Sequence, residues 1–283
     1  MQKNIENYYR YLIYMDYTIL IHTHSDYSYL WPIINDYIKK YNFKKVFAYD
    51  KIPENSILPD SFDRYIKYDS SLLFTSRLVP VLQELPEDYI LLIYDVDIII
   101  NIDEEALQNY ICIMNENNID RVNIAVFDGN SQKYCKNKQY ALCDLNSSLN
   151  QKTNHYVPID CNPTIYHRLS FINLLKLFPN RKYNCFDSDI DIIKYCKNKM
   201  KCYGIQCTPN LKIIYNRGLT YCHKLSFLHI TVAGKFLYPF NCYYDYENEL
   251  NEIISKYNLN VNTIGISQAS RKCLEFDKLF IEN

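Results

Sequence analysis

Residues 89–100, Tyr89-Ile90-Leu91-Leu92-Ile93-Tyr94-Asp95-Val96-Asp97-Ile98-Ile99-Ile100, set two aspartates between two apolar runs. The first run is short, β-branched and aromatic, the pattern of a buried strand. Asp95 and Asp97 fall one residue apart where that strand emerges. Magnesium and manganese are hard cations that take oxygen ligands, commonly one or two protein carboxylates with substrate phosphates supplying the rest. A strand-terminal Asp-x-Asp therefore reads as a handle for a metal–diphosphate, most often a nucleotide-sugar, with Asp95 and Asp97 on the metal and Tyr94 and Val96 beside the donor. The alternative is a solvated strand end, against which the strongly apolar flanks argue.

The elements on either side continue an alternation. Tyr17–Ile21 is a candidate first strand, followed by a turn at His22–Asp26 and by apolar residues at helical spacing from Ser28 to Tyr41. Lys44–Tyr49 reads as a second strand ending at Asp50. After a loop through Pro53 and Pro59, Asp69-Ser70-Ser71 offers an N-cap to a helix that Pro86 stops. Downstream, Asp103-Glu104-Glu105 opens a helix and Val122–Phe127 is a strand. Residues 128–155 read as a polar excursion around the substrate site, and a helix through Phe171, Leu174, Leu175 and Leu177 follows Ile159–Tyr166. Such alternation predicts an α/β fold, a mostly parallel sheet with helices on both faces. Ligands of such sheets bind at the carboxyl ends of strands, where His22, Asp50 and the Asp-x-Asp lie. With no repeat and no linker, residues 1–283 are expected to form one domain: a nucleotide-sugar half over 17–127, an acceptor-side half over 128–240 and a tail over 241–283.

With 283 residues and 48% hydrophobic content the chain can bury a substantial core. Its 31 basic and 32 acidic residues nearly cancel and the lysines are scattered, which argues against a nucleic-acid partner. The 11 cysteines, odd in number and without CxxC pairs, read as free thiols in a reducing compartment; Cys196, Cys202 and Cys207 come nearest to a zinc cluster. No run approaches the roughly 20 apolar residues of a membrane span, so no transmembrane segment is expected. A cytoplasmic location is expected, with the oligomeric state open. The weight of Tyr, Asn, Ile and Lys is that of an AT-rich genome, as in some large DNA viruses and protists; in the viral case the cytoplasm is the host's.

In this order the elements resemble a GT-A fold glycosyltransferase, whose α/β nucleotide-binding half ends in the Asp-x-Asp. More narrowly, the chain is similar to a sparsely characterised group of bacterial and viral glycosyltransferases. The matching segments are Asp26-Tyr27-Ser28-Tyr29-Leu30-Trp31, Ser76-Arg77-Leu78 through Leu85-Pro86 to Tyr89, the two aspartates, Pro163–Arg168, Phe186–Asp189 and Gly234-Lys235-Phe236. The chain departs from that group in three places. Asp95-Val96-Asp97 stands for adjacent aspartates, Phe186 and Asp189 for a Trp-x-x-Glu, and Phe236 for a Trp. A carboxylate shortened at 189 withdraws its reactive oxygen by more than about an ångström.

The resemblance implies a metal-dependent transferase of the EC 2.4 class, moving a sugar from a UDP- or GDP-sugar to a glycan or glycoconjugate hydroxyl with Mn2+ or Mg2+. In that fold the first strand's end receives the base or ribose, which adds His22, Thr23 and Asp50 to the donor site; Arg77 matches a recurring arginine of the group. His229 to Gly234-Lys235 resembles the C-terminal motif of another GT-A family, which makes His229 a metal ligand and Gly234 and Lys235 diphosphate contacts. Asp189 takes the place of a general base, with Asp187 as its alternate. The same segment equally reads as a helix N-terminus capped by Asp187 or Ser188. Against a phosphatase of the haloacid-dehalogenase type, Ile98 and Ile99 follow the motif where that family has a small residue and a Thr. A nucleotidyltransferase lacks its glycine-rich loop, with 5 glycines in the whole chain. A catalytically degenerate GT-A interaction module stays open, given the smaller residues at 186, 189 and 236.

Overall fold

The computed structural model of the chain describes residues 15–127, 132–136, 140–146, 162–183, 188–206, 212–216, 219–232, 235–236 and 246–260. In chain order the strands are β1 (Tyr17–His22), β2 (Lys45–Tyr49), β3 (Arg64–Lys67), β4 (Tyr89–Tyr94), β5 (Asp97–Ile102), β6 (Arg121–Phe127), β7 (Gln132–Lys136), β8 (Tyr140–Asp144), β9 (Thr164–His167) and β10 (Cys202–Gln206). They are followed by β11 (Ile213–Asn216), β12 (Leu219–Cys222), β13 (Leu225–His229), β14 (Thr231–Val232) and β15 (Lys235–Phe236). The helices are α1 (Trp31–Ile38), preceded by a 3-10 helix at Ser25–Leu30, then α2 (Phe74–Gln83), α3 (Glu104–Asn117), α4 (Arg168–Leu177), α5 (Ile190–Lys199) and α6 (Glu247–Lys256).

The central sheet has nine strands in the order β3-β2-β1-β4-β9-β6-β10-β8-β7. β8 and β9 run against the other seven, so the sheet is mostly parallel as the alternation predicted. Its inner strands β1 and β4 read as unbroken apolar runs because both faces are covered. Ile19, Ile21, Phe47, Leu91 and Ile93 face one core, with α1, α3 and α6. Leu20, Val46, Ala48, Ile90 and Leu92 face the other, with α2, α4 and α5.

The Asp-x-Asp is where the chain changes sheets. β4 belongs to the central sheet, whereas β5 is the edge of a four-stranded sheet ordered β11-β12-β13-β5. Ile98 and Ile99 thus form an antiparallel ladder with Leu228 and Phe227, and this places His229 opposite Asp97. The second sheet buries Tyr221, Phe227 and Leu228 in the same core as Ile19 and Leu91, so one continuous core joins the two sheets.

Several elements differ from the sequence expectation. α2 begins at Phe74 rather than after Asp69, because the Asp69 carboxylate accepts from Ser71 N at 2.9 Å in a local turn and no cap reaches the helix. β3 buries only Ile66 among exposed neighbours, as an edge strand does, and so carries no apolar run to find. The 128–155 excursion contributes β7 and β8 to the sheet edge, and β9 inserts antiparallel between β4 and β6. Within the stretch read as a tail, α6 buries Leu250 and Ile253, while Lys256 Nζ and Tyr257 OH reach Asp36 on α1 at 2.7 and 2.5 Å. Among the described residues no helix is long and apolar enough to cross a membrane.

Candidate functional site

β1, β2 and β4 are parallel neighbours, so their carboxyl ends deliver His22, Asp50 and Asp95 to one edge of the sheet. Asp95 is buried there, and its Oδ2 accepts from Thr23 Oγ1 at 2.7 Å and from the His24 N–H at 2.8 Å. No hydrogen bond among the described residues involves its Oδ1. Burial pushes the Asp95 carboxyl up to about 7; the nearby Asp97 charge adds to this, while the Thr23 and His24 donors pull the other way.

Asp97 has the same division of labour between its oxygens. The β5–β13 register sets His229 Nδ1 2.7 Å from Asp97 Oδ1. Oδ2 is buried with no hydrogen-bond partner among the described residues. An unsatisfied buried carboxylate oxygen costs free energy unless something else engages it. Each aspartate of the motif therefore has one oxygen held by protein and one left over.

A carboxylate oxygen left over in this way has the chemistry of a ligand to a hard divalent cation, whose remaining positions phosphate and water would fill. The expected metal trio is Asp95, Asp97 and His229. Among the described residues no three His, Cys, Asp or Glu side chains converge as a metal cluster. The contact His229 makes is with Asp97, through Nδ1, and it orients that carboxylate.

His22 points below this edge into an aromatic cluster, stacked on Tyr68 at 4.9 Å and edge-on to Phe74 and Tyr94. Burial, with the Arg77 and His24 charges adding to it, pushes its imidazole down to about 3, so the ring is neutral. Its Nε2 is buried without a partner among the described residues. Arg77 lies on the same side, its guanidinium 5.1 Å from the Tyr68 ring centroid and its Nε likewise unpartnered among the described residues. Tyr183 closes the cluster, 5.0 Å from Tyr94 between centroids. Val96 is part of the backbone frame, its carbonyl accepting from Ile230 N at 2.8 Å.

Asp50 is engaged on both oxygens by Ser25, through N at 2.8 Å and Oγ at 3.0 Å, with His24 Nε2 3.4 Å from Oδ2. This staples the turn after β1 to the end of β2. Asp189 caps α5, accepting from Asp191 N at 3.0 Å and Ile192 N at 3.2 Å, and pairs with Arg181 Nε at 2.5 Å. Against the upward push of burial, the Ile192 N–H and Arg181 hold its carboxyl below the usual range. Asp187 and Gly234 lie outside the described residues. Lys235 is in β15, paired with Val232.

Sequence reasoning passed over Ser25, Tyr68 and Tyr183, and assigned Trp31 no role. Trp31 Nε1 donates to Thr23 Oγ1 at 2.7 Å, and Tyr68 OH to the Thr23 carbonyl at 2.5 Å. The signal for Trp31 was that a buried indole N–H needs an acceptor.

No protein-family model matches the chain, and no curated protein matches it in sequence. Among solved structures, S. aureus TarS 1–349 is similar at 14% identity and a TM-score of 0.43, over 73% of this chain and 60% of that one. The same TarS segment in complex with UDP-GlcNAc gives 13% and 0.41, over 88% of this chain and 69% of that one. LgtC in complex with donor and acceptor sugar analogs gives 8% and 0.32, over 68% and 87%. Likenesses this distant say nothing about what the chain binds or does.

Proposed function

We propose that the chain is a GT-A glycosyltransferase that moves a sugar from a UDP- or GDP-sugar to a hydroxyl of a glycan or glycoconjugate. The observation that carries this reading is the pair of carboxylate oxygens, Asp95 Oδ1 and Asp97 Oδ2, that no hydrogen bond among the described residues engages at the carboxyl edge of a mostly parallel sheet. Asp95 and Asp97 would hold Mn2+ or Mg2+, which neutralises the diphosphate and its charge on departure. The chain's own part is to fix the two carboxylates, Asp95 through Thr23 and His24, Asp97 through His229. Arg77, Gly234 and Lys235 are the further candidates for the donor phosphates. Asp189 is the acceptor-side candidate, with Asp187 beside it.

The commitment of Asp189 to the α5 cap and to Arg181 favours a second reading, a donor-binding GT-A module without turnover. One screen separates the two. The purified chain is offered UDP- and GDP-sugars with Mn2+ or Mg2+, and nucleoside diphosphate release and donor binding are both measured. Release that EDTA and Asp97→Asn abolish supports the transferase, and binding without release supports the module. Neither binding nor release with any donor overturns both.

A further inference from the structure

The Thr23–Asp95 hydrogen bond is the end of a longer chain of donors with a single polarity. An indole N–H can only donate, so at 2.7 Å Thr23 Oγ1 must accept from Trp31. The Thr23 proton then has two acceptors in reach, Asp95 Oδ2 at 2.7 Å and the His24 carbonyl at 3.4 Å, and the shorter contact is to the carboxylate. All three residues are buried, with relative exposures of 0% for Trp31, 1% for Thr23 and 5% for Asp95. In such surroundings donors in series strengthen one another. Tyr68 OH on the Thr23 carbonyl and His24 N on Asp95 Oδ2 hold both ends of Thr23 in place.

We propose that Trp31 and Thr23 are positioning residues for Asp95. Their hydrogen-bond relay from the start of α1 saturates Oδ2, turns Oδ1 toward the ligand, and couples occupancy of the carboxylate to the indole. The proposal rests on the reading of Asp95 as a metal–diphosphate ligand. A side chain that merely gave a buried Trp an acceptor would stabilise the fold and leave ligand affinity alone.

Trp31 is the single tryptophan of the chain, so its indole N–H gives one resonance in a nitrogen-15 spectrum of this 283-residue chain. The relay predicts that this resonance moves on addition of Mg2+ with UDP, and moves independently on Asp95→Asn in ligand-free protein. By calorimetry Thr23→Val weakens Mg2+-dependent UDP binding by about tenfold, since a hydrogen bond to a charged group is lost. Trp31→Phe weakens it by a smaller factor, and Thr23→Ser restores it to about wild-type strength. A resonance that Asp95→Asn leaves in place, or a folded Thr23→Val with wild-type affinity, overturns the relay. If Thr23→Val does not fold, the resonance and the Thr23→Ser affinity still decide. Should wild type bind no UDP while Asp95→Asn shifts the indole, the relay stands and the nucleotide reading falls.

Discussion

The polar clusters at the two ends of the central sheet's strands differ in how their aspartates are engaged. At the amino edge, before β4 and β6, Asp120 has both oxygens taken, by Ser170 Oγ at 2.5 Å and Lys201 N at 2.8 Å, and His167 Nδ1 lies 3.0 Å from the same hydroxyl. Arg168 Nε donates to the Glu87 carbonyl at 2.6 Å, and Glu87 meets Lys44 at 3.0 Å. At the carboxyl edge, Asp97 keeps one buried oxygen unpartnered among the described residues, as does His22 on Nε2, and Asp95 is buried with its carboxyl pushed up to about 7. A cluster built for stability uses up its hydrogen-bonding capacity. One built to receive a ligand leaves part of it over and is less stable for doing so.

Asp97→Asn puts the contrast under most strain. It is expected to lower transfer by about a thousandfold, through loss of metal-dependent donor binding, with thermal stability at or above wild type. Unchanged turnover with bound UDP-sugar would remove Asp97 from the site.

Asp95→Asn tests the stability side in metal-free protein. A carboxyl raised in the folded state contributes stability that is full below the unfolded value near 4 and is lost as pH rises through about 7. The variant, whose amide oxygen still accepts from Thr23 and His24, should therefore gain on wild type as pH rises, by up to about 4 kcal/mol above pH 7. Denaturant titrations at pH 4 and pH 8 would show the gap opening, and saturating Mn2+ should narrow it.

His22 titrates with the opposite sign. Its folded value is depressed, so its contribution is intact above the unfolded value near 6.5 and drains as pH falls toward 3. His22→Phe keeps the stack on Tyr68 and should flatten the acid limb by up to about 3 kcal/mol at pH 4. Parallel acid limbs in the two proteins would mean that the ring is not held neutral.

At the amino edge, Asp120→Ala is expected to cost about 2 kcal/mol of stability, since it strips the acceptor from Ser170 and Lys201 N. Activity per folded molecule should stay at the wild-type level. The smallest effect is that of Asp189→Asn, which keeps an acceptor for the α5 N–H groups and loses only the part-exposed charge pairing with Arg181. A stability change within about 1 kcal/mol is expected. A fall in turnover of a hundredfold or more in that variant, with donor binding intact, would assign Asp189 to the chemistry and leave the cap as its second duty.

The architecture was legible where one segment supplies enough burial to declare itself. Tyr17–His22 and Tyr89–Tyr94 are buried along their whole length, so apolar runs alone mark them. Asp103 with Glu104 and Glu105 marks the start of α3, and Asp103 does accept from Ala106 N. β3, β9, β11 and β12 were not legible, because a short edge strand or a strand defined by its partners has no periodicity of its own, whereas the apolar run from Phe227 marks β13.

Local sequence therefore determined that a buried strand ends in Asp-x-Asp and that parallel neighbours bring His22, Asp50 and Asp95 to one edge. Only the tertiary structure decided what each carboxylate would touch. Thr23 meets Asp95 across 72 residues and His229 meets Asp97 across 132. Such contacts are set by strand register and by the change of sheet at Asp95-Val96, quantities that depend on pairing between distant segments and leave no trace in the residues nearby.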